Sequence, residues 1–199
     1  RLVDFVLFDK TGTLTEGRFG VTGMAVSGGM NEDEALALAA AVEGDSEHTI
    51  ARGIRESAAK KELSLPAVTS FEAIEGRGVT AESDHKKVYV GGPRLLEMLE
   101  ISLPDGLAQF ETNASAGGQS VVHLVRADHD GSQPRAEASF ALADVIRPES
   151  VQAVQQLKEM NVQVAMLTGD SQAVADAVAD ELGSRPPSRR YCRSTKTPK

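Results

Sequence analysis

The sequence has no tryptophan, 4% aromatic residues and a single cysteine, Cys192, among 199 residues. One thiol excludes an internal disulfide framework and any zinc site built from several thiolates. Nor is there an uninterrupted apolar run of the ~18 residues that a bilayer span requires. The richest apolar stretch, residues 35–42, covers about two helical turns. Residues 1–5, RLVDF, lack the apolar block and small-residue cleavage site of a secretory leader, so a cytoplasmic location is expected. Basic residues are sparse over most of the chain. All 29 acidic residues precede Ser184 and six of the 21 basic residues lie from there on, so the net charge of −8 joins a strongly acidic body to a basic tail. A body of that sign repels phosphate backbones, and no nucleic-acid partner is expected. The remaining composition, 41% hydrophobic with 18 Gly, describes a globular protein of one large or two small domains.

Residues 2–8, LVDFVLF, form a nearly continuous apolar run of strand length, which predicts a strand covered on both faces in a parallel sheet. Asp9 falls at its carboxyl end, the edge at which open α/β sheets place their ligands. Residues 162–167, VQVAML, make a second such run and lead into Thr168, Gly169 and Asp170. Before it, Val151, Val154 and Leu157 recur at helical spacing after Pro148, which suits a first helical position. A helix feeding a buried strand is half of a doubly wound unit. Between these pieces the texture changes. Helices are predicted over 31–42 and 50–63, and short strands over 68–81, 86–91, 120–127 and 136–143, with Gly-rich turns at 76–78, 91–93 and 117–118. That pattern reads as a separate α+β insert.

Residues 9–15 read DKTGTLT. A carboxylate at a strand end can attack phosphorus directly and form an aspartyl phosphate. Gly12 permits a tight turn, Thr11, Thr13 and the loop N–H groups can hold phosphoryl oxygens, and Lys10 is expected to supply positive charge beside them. A TGD triplet after a strand is, taken alone, an ordinary turn and helix cap. In the insert, residues 43–48 read EGDSEH and open a helix for which Asp45 or Ser46 is the natural N-cap. His85, His123 and His129 show no ligand spacing, and no metal site is expected from them.

The heptad DKTGTLT resembles the phosphorylation signature of P-type ATPases, and further segments along the chain are similar to that family. SEHTIARGI resembles the Ser-Glu-His-Pro motif of the heavy-metal-transporting members, with Thr49 where the family has Pro. EGRGV, with Gly76 and Gly78, resembles their GxG element, and Gly91 and Gly92 resemble a further glycine turn of the same pocket. Thr168, Gly169 and Asp170 resemble the second phosphate-domain motif, and Arg147 in DVIRPES the hinge by which the insert returns. The resemblance, to the copper/silver type, implies a haloacid-dehalogenase-like doubly wound parallel sheet, incomplete here, with an inserted α+β nucleotide-binding domain. It implies a division into 1–18 and 144–183 for the phosphorylation domain and 19–143 for the nucleotide-binding domain. It further implies ATP binding by Glu43, Ser46, Glu47, His48, Gly76, Gly78, Gly91 and Gly92, and phosphorylation of Asp9 with Mg²⁺ held by Asp9 and the Thr11 carbonyl. The implied partners are transmembrane and actuator domains and a heavy-metal cation, at the cytoplasmic face of a membrane. The alternatives are a soluble phosphatase of the same superfamily, which commonly needs a second Asp where Thr11 stands, and a non-catalytic ATP-binding module.

Residues 184–199 have no apolar periodicity and are expected to be disordered. RYCRSTKTPK can be encoded by a string that in the neighbouring frame reads Glu-Val-Leu-Pro-Glu-His-Lys-Asp-Ala-Glu, which resembles the family's continuation. The tail is therefore expected to be frame-altered. A chain without the family's later GDGxND motif is expected to leave the apolar faces of residues 2–8 and 162–167 partly uncovered and to phosphorylate itself poorly.

Overall fold

The computed structural model describes residues 3–168, 172–183 and 192–193. The chain separates into two compact units, one formed by Arg1–Arg18 with Asp144–Lys199, the other by Phe19–Ala143.

The first unit is built on a parallel sheet in the order β1-β8-β9, with β1 at Phe5–Asp9, β8 at Gln163–Thr168 and β9 at Cys192–Arg193. The register pairs Phe5 with Gln163 and Asp9 with Leu167, so both long strands end at one edge. Helix α5, Pro148–Glu159, begins with Pro148 in its first turn and feeds β8, and α6, Gln172–Glu181, follows it. Their apolar stripes close a core of Leu14, Val154, Met166, Ala175, Val178 and Leu182. This is the doubly wound pattern of the sequence with two differences. Strand β1 is not covered on both faces: Phe5 and Leu7 are 53% and 51% exposed, because alternate side chains of a strand face opposite ways and only one face meets the helices, which agrees with the partial uncovering expected for residues 2–8. Cys192 and Arg193, in the tail expected to be disordered, pair with Leu167 and Thr168.

The second unit is a six-stranded sheet in the order β2-β7-β6-β5-β4-β3. Its strands are β2 (Thr15–Val26), β3 (Thr69–Ile74), β4 (Gly78–Ser83), β5 (Lys86–Gly91), β6 (Ser120–Ala127) and β7 (Arg135–Ile146). From β3 to β7 each neighbour is antiparallel. Val88 and Val90 of β5 face the pair α1 (Glu32–Val42) and α2 (Thr49–Lys60). Tyr89 between them faces α3 (Pro93–Met98) and α4 (Asp105–Ala116) on the other side. Helix α1 starts with a full capping box, Asn31 Oδ1 accepting from Glu34 N and Glu34 Oε2 from Asn31 N, at 2.9 and 3.1 Å. Every residue of α1 from Ala35 to Val42 is buried. Helix α2 lies close on β2 because residue 53 is glycine: a Cβ there would stand 2.7 Å from the Phe19 carbonyl oxygen. Among the described residues no helix is long and apolar enough to cross a membrane.

Candidate functional site

The motif DKTGTLT runs off the end of β1 into a loop, Lys10–Leu14, whose turn depends on Gly12 at φ +79°. A Cβ on Gly12 meets nothing, so the requirement is conformational rather than one of space. Asp9, Thr11 and Thr13 are exposed, whereas Leu14 anchors the loop in the core. Arg147, the residue between β7 and α5, holds the loop. The Arg147 N–H donates to the Leu14 carbonyl at 3.0 Å and its Nε to the Thr15 carbonyl at 3.0 Å. Thr168 ends β8 one position past the partner of Asp9, so neighbouring parallel strands carry both to the same edge, about 4.8 Å apart between strands. Gly169 and Asp170 lie outside the described residues.

In the second unit the predicted glycines fall at one end of the sheet. Strands β4 and β5 pair Gly78 with Gly91, and β6 adds His123 beside Gly91. Gly78 and Gly91 are required by space: a Cβ on either would lie 2.1 Å from a carbonyl oxygen, that of Val90 or of Arg77. Gly76, at φ +68°, makes the turn, and Gly92 precedes Pro93 at the start of α3. The direction of α1 puts its carboxyl end at this same edge. Its first turns, at Asp33 and Glu34, line a cleft with Ser83 and Arg126 at the far ends of β4 and β6. Since α1 packs along β4 and β5, Glu43 lies roughly 15 Å further on, toward Gly78 and Gly91. That cleft, about 710 Å³, contains none of the residues predicted to bind nucleotide.

The connection from α1 to α2 differs from expectation at its cap. His48, not Asp45 or Ser46, is the N-cap of α2, and its Nδ1 accepts from Ile50 N at 3.2 Å. The physical reason is that Arg55 reaches back from α2 to donate to the carbonyls of Glu43 and Ser46, holding residues 43–47 in a turn before the helix. With Nδ1 committed as acceptor, the neutral His48 ring carries its proton on Nε2 and offers a donor from an exposed position. Glu47 is exposed and Ser46 half-buried. Glu43 is 6% exposed and its Oε2 has no hydrogen-bond partner. Burial raises its carboxyl above the ordinary range, against the hydrogen bond of Ser46 and the charge of Arg55.

A family model described as haloacid dehalogenase-like hydrolase matches residues 3–193. The chain belongs to that family. Within it, the chain is 40% identical over 178 residues to copper-exporting P-type ATPase B of Archaeoglobus fulgidus, covering 89% of this chain and 24% of the relative. A zinc-transporting PIB-type ATPase superposes with a TM-score of 0.78 at 34% identity, over 91% of this chain and 28% of that one. The catalytic domain of the CPx-ATPase CopB-B gives 0.57 at 25% identity, over 96% and 62%. The chain thus spans about a quarter of the length of the curated relatives it matches. These relatives are heavy-metal P-type ATPases, and the haloacid-dehalogenase-like chain matches their catalytic domain.

Sequence reasoning passed over Thr15 and Asp144. The Thr15 hydroxyl lies 2.7 Å from Asp144 Oδ2 and 3.0 Å from the Lys10 carbonyl, and Lys10 Nζ is 3.8 Å from the same Oδ2. Thr15 is the last residue of the heptad and Asp144 the first of DVIRPES, so both were in view as motif letters. Their pairing across 129 positions was not.

Proposed function

We propose that the chain is the ATP-binding and phosphoryl-accepting part of a heavy-metal cation-exporting P-type ATPase of the copper/silver type, working at the cytoplasmic face of a membrane. The single observation that carries this is the exposed Asp9 carboxylate at the carboxyl end of β1, in a glycine-turned loop, with Thr168 closing the adjacent parallel strand. In this reading ATP is held by the second unit. Glu43 Oε2, buried without a partner, is an acceptor suited to an exocyclic amino group such as that of adenine. His48 supplies a donor, and the backbone of Gly76, Gly78, Gly91 and Gly92 lets the nucleotide approach closely. The Asp9 carboxylate oxygen then bonds to the γ-phosphorus while the bond to the β-phosphate oxygen breaks, leaving an aspartyl phosphate and ADP.

The donors fit a hard cation. The Asp9 carboxylate and the Thr11 carbonyl are oxygen ligands of the kind Mg²⁺ takes, and it commonly completes its shell with water and phosphate oxygens. Among the described residues no group of three or more His, Cys, Asp or Glu gathers into a further metal site. When bound, Mg²⁺ neutralises charge on the transferred group. The chain's own part is to keep Asp9 exposed, to hold the loop through Leu14 and Arg147, and to offer Thr11, Thr13 and Thr168 hydroxyls to phosphoryl oxygens. In the longer protein this step drives export of a heavy-metal cation through transmembrane and actuator domains.

Incubation with γ-labelled ATP and Mg²⁺ followed by acid quench tests the reading. Hydroxylamine-sensitive label that Asp9→Asn abolishes supports it. Phosphate release with no trapped label supports the phosphatase alternative, and binding with neither supports a non-catalytic module.

A further inference from the structure

Lys10 stands beside the proposed phosphoryl acceptor, where its charge is expected to face the ligand. Its side chain instead turns inward. Lys10 is 6% exposed, while Asp9, Thr11 and Thr13 around it are exposed. A buried ammonium is costly unless it is paired. Among its surroundings is Asp144, itself 12% exposed, whose Oδ2 lies 3.8 Å from Lys10 Nζ. That distance is an ion pair without a direct hydrogen bond. The same Oδ2 lies 2.7 Å from the Thr15 hydroxyl, which also lies 3.0 Å from the Lys10 carbonyl. Asp144 Oδ1 is buried and has no hydrogen-bond partner. One carboxylate, brought by β7, therefore meets both the charge at the start of the loop and the hydroxyl at its end.

We propose that Asp144 is a positioning residue that acts through Lys10: its carboxylate keeps the ammonium under the loop, next to Asp9, and Thr15 orients that carboxylate. The role for catalysis rests on Asp9 being the phosphoryl acceptor; the holding of Lys10 does not. An ammonium held beside Asp144 Oδ2, a carboxylate whose other oxygen has no hydrogen-bond partner, is poised to move to a phosphoryl group without leaving the loop. Arg147 holds the loop in a different way, through the backbone carbonyls of Gly12 and Thr15.

The test is acylation of the intact chain by sulfo-N-hydroxysuccinimidyl acetate at neutral pH, with each lysine followed by peptide mass spectrometry and the exposed Lys60 and Lys86 as internal references. In Asp144→Asn, Lys10 is expected to react about tenfold faster with the references unchanged, the order of effect of losing a charged partner. Asp144→Glu should restore protection to within about twofold of wild type, since the charge returns. Thr15→Val, a milder variant of nearly the same shape, should raise the Lys10 rate about threefold by freeing the carboxylate. Arg147→Ala, which loosens the loop but keeps the carboxylate, should change it less than about twofold. A wild-type Lys10 rate in Asp144→Asn and Thr15→Val overturns the proposal, and so does an equal rise in Asp144→Asn and Arg147→Ala. If Asp9 is not the acceptor, the γ-labelled ATP experiment fails while the dependence of Lys10 on Asp144 persists, so the two failures are told apart.

Discussion

Glu43 is the residue at which stability and ligand binding should respond in opposite directions. The perturbation is Glu43→Gln, which keeps shape and removes charge. In the folded chain the carboxyl is buried, one oxygen has no partner, and its pKa is raised above 4.5 chiefly by burial. The sign follows from linkage: a raised folded pKa means that the folded state binds the proton more tightly than the unfolded one. Its contribution is fully present below pH 4.5 and is lost as pH rises through the folded value, so at pH 7 the ionised group costs stability. A buried carboxylate oxygen left unsatisfied costs about 1–3 kcal/mol, and the bond to Ser46 and the charge of Arg55 offset part of it. Glu43→Gln should therefore stabilise the second unit by about 1 kcal/mol at pH 7, and the gain should vanish toward pH 4. The same change turns a charge-assisted acceptor into a neutral one. ATP affinity should fall about fivefold to tenfold, equivalent to roughly 1 kcal/mol. Urea unfolding followed by circular dichroism at pH 4, 5.5 and 7, with calorimetric titration of ATP, measures both. A variant less stable than wild type at pH 7, or one that binds ATP with unchanged affinity, refutes the reading of Glu43 as a buried carboxylate that takes part in ATP binding.

His48→Ala should weaken ATP binding and also lose the α2 cap, costing ~1 kcal/mol; His48→Asn should keep the cap and still bind ATP weakly, which calorimetry and thermal unfolding distinguish. Gly53→Ala should destabilise the second unit by about 1–3 kcal/mol in urea unfolding, because the new Cβ meets the Phe19 carbonyl rather than a movable side chain. His123, fully buried between Ser139 Oγ at 2.9 Å and Glu111 Oε1 at 3.4 Å, has a pKa lowered by burial against the pull of Glu111. A depressed folded pKa gives stability that is present above pH 6.5 and lost as pH falls through the folded value, so unfolding free energy should decline below pH 6.5 and His123→Gln should remove that part of the slope.

Local pattern was enough for the elements whose apolar residues are close together in sequence. Residues 86–91 and 120–127 read as strands and are β5 and β6 over those same residues, and the helical spacing of Val151, Val154 and Leu157 gives α5. The heptad at the end of an apolar run placed Asp9 at a strand's carboxyl end because strand length and loop glycine are both local properties. Three elements escaped that reading. Strand β2 contains Gly17, Gly20 and Gly23 and resembles a loop until Phe19, Val21 and Met24 are seen packed on the core. Helices α3 and α4 are short or poor in apolar residues; α4 buries only Leu107 and Ala114, and the sheet face they cover supplies the driving force. Only the tertiary structure decided that Lys10 turns inward, that Glu43 is buried with one oxygen unpaired, and that glycine is required at 78 and 91 by the carbonyls of Val90 and Arg77. Each of these depends on a partner far along the chain, Asp144 for Lys10 and Arg55 for the turn after Glu43. Sequence spacing carries the type of group available for chemistry, whereas desolvation and ion pairing are properties of the neighbours that folding brings.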